Sequence, residues 1–138
     1  MGKPDTWYAY FHVMGSFEPA DITARVGVAP THAVREGEPG RYNQRQPCSR
    51  WELRSRCDSS AAIELHVKDV LNQLDQNKCE FQELSRQFGG TMEVVGYFDA
   101  VEPGIHFDGE MVRRIGEYGL AIDCDFYNSR ASIPRGTT

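Results

Sequence analysis

A chain of 138 residues with 40% hydrophobic side chains is enough for one core and too short for two ordinary domains. Its net charge of −5 argues against general nucleic-acid or membrane-surface binding, because phosphate-rich partners need a positive field. No window approaches the roughly 18 apolar residues that a membrane helix requires, so a soluble, cytoplasmic protein is expected.

In chain order, the aromatic and β-branched run WYAYFHVM, Trp7 to Met14, reads as a strand covered on both faces. FEPADITARVG then predicts a short helix over Pro19–Val26. Glu18 serves as N-cap, Pro19 occupies the first helical position, Phe17 is placed to staple onto Ile22, and Gly27 terminates. In the following run, VGVAPTHAVREGEPGR, Gly27 supplies a left-handed residue and Pro30 keeps the helix from resuming. THAVR starts a strand and EGEPG forms a turn.

RWELRSR alternates, with Arg50, Glu52, Arg54 and Arg56 on one side and Trp51, Leu53 and Ser55 on the other, as in a half-exposed strand. After the capping run CDSS, the residues Ile63, Val67, Val70, Leu74, Phe81, Leu84 and Phe88 draw one apolar stripe along a helix from about Ala61 to Gln87. A break is expected near QNKC, and His66 falls just off the stripe, as a surface or boundary residue. Gly89 and Gly90 stop this helix. TMEVVGYFDAV follows as a strand, and Glu102–Gly104 as a turn into a short partner strand, IHF. Asp108 caps a second short helix with Val112 and Ile115 inward and Gly119 as terminator. The last strand starts at Leu120, with Leu120, Ile122, Cys124 and Phe126 facing one way and Asp123 and Asp125 the other.

These elements imply one α+β domain over 7–127, with 1–6 and 128–138 as flexible tails. Its sheet is mainly antiparallel, with about five or six strands, and carries one long and two short helices. The succession of strand, phenylalanine plus acid, short helix, glycine and strand occurs twice, which suggests an internal strand–helix–strand pseudo-repeat.

FEPADITARVGVAPTHAVREGEP, the tryptophan of SRWELRS, the long helix and the closing LAIDCDFY resemble the bacterial family known as domain of unknown function 4279. The resemblance runs from about Tyr8 to Tyr127, and its most specific parts are Ile22-Thr23, Gly27, Pro30-Thr31, Gly37 and Asp125-Phe126-Tyr127. It implies a small stand-alone bacterial α+β domain and brings no catalytic residue, cofactor or activity. Immunity proteins to secreted toxins are often domains of this size and style.

Recognised enzyme motifs are absent. A P-loop is excluded because no lysine lies between Lys3 and Lys68, and Gly27, Gly37 and Gly40 do not have dinucleotide-binding spacing. Cys48, Cys57, Cys79 and Cys124 include no C-x-x-C pair and read as reduced structural thiols. His12, His106, Asp99, Asp123 and Asp125 are the residues from which a metal or acid–base site would be assembled, and a solvated sheet face is the plainer account of them. No catalytic residue, metal or cofactor is therefore assigned.

Charge supplies the one suggestive feature. Thr31–Arg56 holds six arginines against three acids, leaving the remainder of the chain at −8. Arg35, Arg41, Arg50, Arg54 and Arg56, with Trp51 beside them, form a candidate ribbon for a partner or an anion. The expectation is a non-enzymatic binding protein, in its most specific form an immunity-type inhibitor of a cognate toxin-like protein. The alternatives are a small-anion or small-ligand domain using these arginines and, behind it, a metal-dependent hydrolase on the His and Asp face.

Overall fold

The computed structural model describes residues 5–99 and 104–128. Five strands form one sheet in the order β2-β3-β1-β4-β5: β1 Thr6–Gly15, β2 His32–Val34, β3 Ser49–Arg54, β4 Thr91–Phe98 and β5 Ala121–Asn128. β1 is antiparallel to both β3 and β4, β2 is antiparallel to β3, and β5 runs parallel to β4. The first four strands with their helices follow the split β-α-β plan of ferredoxin-like domains, to which a helix and β5 are appended. The two strand–helix–strand segments of the sequence both end on a parallel strand. The first straddles β3, whereas the second joins direct neighbours.

Helix α1 spans Pro19–Val26 and ends on Gly27 at φ 72°, whose N–H donates to the Thr23 carbonyl. Glu18 is the N-cap by backbone geometry, but its carboxylate caps nothing. It is instead held by Arg35, and Phe17 packs on Phe88 with ring centroids 5.0 Å apart. The expected long helix is two segments, α2 (Ile63–Leu74) and α3 (Lys78–Phe88), joined by a 3-10 turn at Asp75–Asn77. Asn77 marks the break and donates its side-chain amide to the Val26 carbonyl, tying the kink to the end of α1. The run before α2 is closed by Asp58, which accepts from the Ser60 N–H and hydroxyl, so none of its polar side chains caps the helix.

Helix α4, Gly109–Glu117, begins on an Asp108 cap that accepts the Met111 N–H. It supplies the crossover that parallel β4 and β5 require. Of its two expected inward residues, Ile115 is buried but Val112 is 56% exposed. Ile105-His106-Phe107 forms no strand, and Ile105 and Phe107 pack against the core as irregular chain. Glu102 and Pro103 of the expected turn and most of both expected tails lie outside the described residues, while Thr6 and Asn128 belong to strands.

The core lies between the helices and one face of the sheet. Phe11, Trp51 and Phe81 are fully buried and meet at centroid distances of 5.6–6.3 Å. Trp7, Ala9 and Val13 of β1, Leu53 of β3 and Met92 and Val94 of β4 complete the strand side. Val67, Val70, Leu71, Leu74 and Leu84 complete the helix side. Trp7 lies across Gly96 so closely that a Cβ there would sit 2.2 Å from the indole, which accounts for glycine in the middle of a strand. His66, expected near the surface, is 1% exposed because its imidazole bonds Ser55 at 2.7 Å under the end of β3. No described helix is long and apolar enough to cross a membrane.

Candidate functional site

Strand alternation decides what lies on the other face of the sheet, which the described helices leave uncovered. Among the described residues helices cover β1 on one face alone, where WYAYFHVM reads as a strand covered on both. Its even-numbered residues Tyr8, Tyr10, His12 and Met14 point away from the core. Register places Arg54 beside Tyr10, Glu52 beside His12 and Arg50 beside Met14 on the β3 side. On the other side Glu93 lies beside Tyr10 and Val95 beside Tyr8, followed by Asp123 beside Glu93, Asp125 beside Val95 and Tyr127 beside Tyr97. Arg50 and Arg54 of the ribbon, and His12, Asp123 and Asp125 of the His and Asp set, separate in the sequence, are thus on one surface, with the arginines and the aspartates at opposite ends.

The two ends differ in how their charges are satisfied. Arg50 pairs with Glu52 at 2.7 Å, and the Arg54 guanidinium lies 3.6 Å from the Tyr8 ring centroid, a cation–π contact. Beyond the strand, Arg56 grips Asp69 through its backbone N–H and its guanidinium, with Nη2 to Oδ1 at 2.8 Å, and Arg35 pairs with Glu18 at 2.6 Å. At the β4–β5 end, Asp123 and Asp125 are exposed, and no cation pairs with either among the described residues.

Glu93 sits between these ends, 8% exposed. Its Oε1 lies 3.2 Å from His12 Nε2, while Oε2 is buried without a hydrogen-bond partner. Burial first, then the carboxylates of Asp123 and Asp125, pushes its pKa up to about 7. Either aspartate is close enough for a carboxyl–carboxylate hydrogen bond when Glu93 carries the proton. Burial and the Arg50 charge hold His12 below the ordinary imidazole range, which favours its neutral form. Burial, with Glu93 and Glu52 adding to it, raises Tyr10 to about 12. Two tyrosine pairs flank the centre: Tyr8–Tyr10 with centroids 6.1 Å apart and the exposed Tyr97–Tyr127 stack at 4.9 Å.

The structure does not bring the expected ribbon together as one surface. Arg50 and Arg54 share the open face. Arg56 has left it for α2, Arg35 has turned to Glu18, and Trp51 is in the core, donating its indole N–H to Thr23 Oγ1 at 3.0 Å. Arg41 stands at the tip of a small hairpin held by reciprocal backbone bonds between Gly37, Glu38 and Gln46. Of the His and Asp set, His12, Asp123 and Asp125 share the open face. His106 lies over α2, its N–H on Glu64, and Asp99 follows the end of β4, its N–H on Asp5. Glu93, the residue that joins the two ends, carried no signal beyond its place in an apolar strand. A carboxylate in such a run is itself the mark of a buried polar group needing explanation.

Other constellations are already engaged. The Ser55–His66 pair resembles half of a nucleophilic dyad, but Ser55 Oγ also accepts the Ala9 N–H and the imidazole is buried. A concavity of about 550 Å³ between α3 and α4 is lined by Glu83, Arg86 and Glu117. Its charges are spent in the pairs Arg86–Glu83, Lys78–Glu117 and Arg113–Glu117. All four cysteines are free thiols. Among the described residues, no three His, Cys, Asp or Glu side chains converge as metal ligands would.

Comparison with known proteins yields one match, a family model described as Domain of unknown function (DUF4279), over residues 5–129. No curated protein and no solved structure matches.

Proposed function

The chain belongs to the DUF4279 family, and we propose that it is a non-enzymatic binding protein that holds a protein partner on the helix-free face of its sheet. One observation carries this reading: the carboxylate end of that face is left without countercharge while the arginines nearby are already paired or stacked. Such an arrangement favours a partner that is basic where it meets β4 and β5, and steering by the chain's net charge of −5 acts in the same direction. The exposed tyrosines supply contact area at small entropic cost, as at other protein interfaces.

An immunity-type inhibitor, whose partner is a toxin-like protein with a basic surface, is the most specific form of this reading. A toxin-like reading frame next to the gene would support it. The direct test is affinity capture from the native host with wild type, an Asp123→Arg/Asp125→Arg variant and an Arg41→Glu control. The expected result is a stoichiometric partner retained by wild type and the control and lost by the aspartate variant. Retention by all three would refute the open face as the docking surface. The anion-binding alternative would rest on Arg41 and Arg54, since Arg35, Arg50 and Arg56 each already pair with a carboxylate.

A further inference from the structure

We propose that Glu93, Asp123 and Asp125, walled by the stacked Tyr97–Tyr127 pair, form a socket for one guanidinium group, so that the partner presents an arginine to the β4–β5 end of the sheet. This rests on the binding reading above and adds to it the chemical group recognised. Exposed acids on an edge strand would not by themselves mark a site. The independent observation is Glu93: nine-tenths buried on an interior strand, its Oε2 has no donor when the carboxyl is ionised, and the carboxyl lies within hydrogen-bond reach of both aspartates. A buried carboxylate oxygen without a donor is costly, and a ligand that brings a donor removes that cost.

The donor's geometry follows from the strand. Asp123 and Asp125 project from one side of β5, their backbone positions about 6.6–7 Å apart, and both carboxyl groups lie within hydrogen-bond reach of Glu93. A planar guanidinium, with five N–H donors in a fixed fork, can engage several such acceptors at once. A compact ammonium engages one or two of them. Tyr97 and Tyr127, 47% and 50% exposed, offer the aromatic surface on which a guanidinium stacks. The same residue types recur in reverse at the other end of the face, where Arg54 lies on Tyr8.

Binding in this socket is coupled to protons. The groups facing Glu93 are His12 and Tyr10 from β1, Asp123 and Asp125 from β5, and, one strand further, Arg50 and Glu52 from β3. A guanidinium favours ionised Glu93, so it expels the proton that the aspartates otherwise help to hold. Acidification restores that proton, which opposes the cation. Affinity therefore falls as pH drops from 8 towards 5.5.

The test is an amide chemical-shift titration of the full chain with Nα-acetyl-arginine amide, which carries a guanidinium and no other charge. The lysine analogue serves as comparison. Expected are saturable shifts at Glu93, Val95 and Asp123–Tyr127 with a Kd on the order of millimolar, as befits one side chain. The lysine probe should bind about tenfold more weakly. Binding should weaken several-fold at pH 5.5 and vanish in Asp123→Asn/Asp125→Asn, whose fold is checked in the same spectra. No saturable shift on β4 and β5, shifts that survive the double substitution, or equal binding of the lysine probe would each overturn the socket. The binding reading fails separately: loss of partner capture in the aspartate variant without arginine-probe binding refutes the socket alone, whereas probe binding with unaltered capture refutes its use for a protein.

Discussion

The two ends of the open sheet face carry opposite charge and stand in opposite states of satisfaction. At the β2–β3 end, arginines prominent in the sequence are held by Glu52, Glu18 and Asp69 or lie on Tyr8. At the β4–β5 end, two ordinary-looking aspartates and one buried glutamate have no Lys or Arg countercharge among the described residues. A guanidinium already engaged by a carboxylate has its charge balanced and part of its donors spent, whereas an uncompensated carboxylate gains from any cation that arrives. The density of a residue type in sequence is therefore a weaker guide to a site than the balance of charge around it.

The sharpest way to break this comparison is in the core beneath the arginine end. Trp51→Ala deletes a fully buried indole and its bond to Thr23, and is expected to cost about 3–5 kcal/mol, seen as a large fall in the urea midpoint. A loss below 1 kcal/mol would mean that Trp51 is not the structural residue its burial makes it.

Glu93→Gln tests the other end. Glu93's raised pKa means that between about 4.5 and about 7 the folded chain keeps a proton that the unfolded chain releases. Stability from this group is full below about 4.5, falls as pH rises through that window, and is absent above it. The glutamine variant, which cannot ionise, should be more stable than wild type by about 1–3 kcal/mol at pH 8, a gain that shrinks towards pH 5. Thermal melts at the two pH values read this directly, and an equal effect at both would exclude ionisation as its source. His12 acts in the opposite sense: its depressed pKa removes stability as pH falls below the ordinary 6.5.

Much of the fold was legible because it is written in alternation and in punctuation. The bounds of α1 followed from Pro19 and Gly27, the break between α2 and α3 from Asn77, and the core side of β3 from Trp51 and Leu53. What was not legible depends on pairing between distant segments. Sequence alone does not say that β5 lies parallel beside β4, which puts Asp123 next to Glu93, nor that the described helices all pack on one face of β1. His66 looked marginal because its helical phase was off the stripe by one residue, whereas its burial comes from Ser55, eleven residues away. The arginines looked available because their partners, Glu18 and Asp69, lie in other elements.

Arg56→Ala weighs the arginine end by its pairing. Its ion pair with Asp69 is largely exposed, so the expected loss is small, about 0.2–1 kcal/mol, and smaller at high salt. A loss of several kcal/mol would show that this arginine is locked into the structure more firmly than an exposed pair can account for.

The smallest effect on stability is expected from Asp123→Asn/Asp125→Asn, within about 0.5 kcal/mol at pH 5, because both side chains are exposed and neither holds a cation. Its value lies in what it does to Glu93. Burial is the larger cause of the raised pKa and the two aspartates are the next, so neutralising them should bring the Glu93 midpoint down from about 7 without returning it to 4.5. The carboxyl carbon shift of Glu93 followed against pH measures that midpoint. An unmoved midpoint would mean that burial alone holds the proton and that the three carboxylates do not act as one group, leaving the two ends of the face different in charge but not in coupling. A partial fall would identify the β4–β5 end as a coupled cluster whose proton is available for exchange with a cation, a property that the paired arginines at the other end lack.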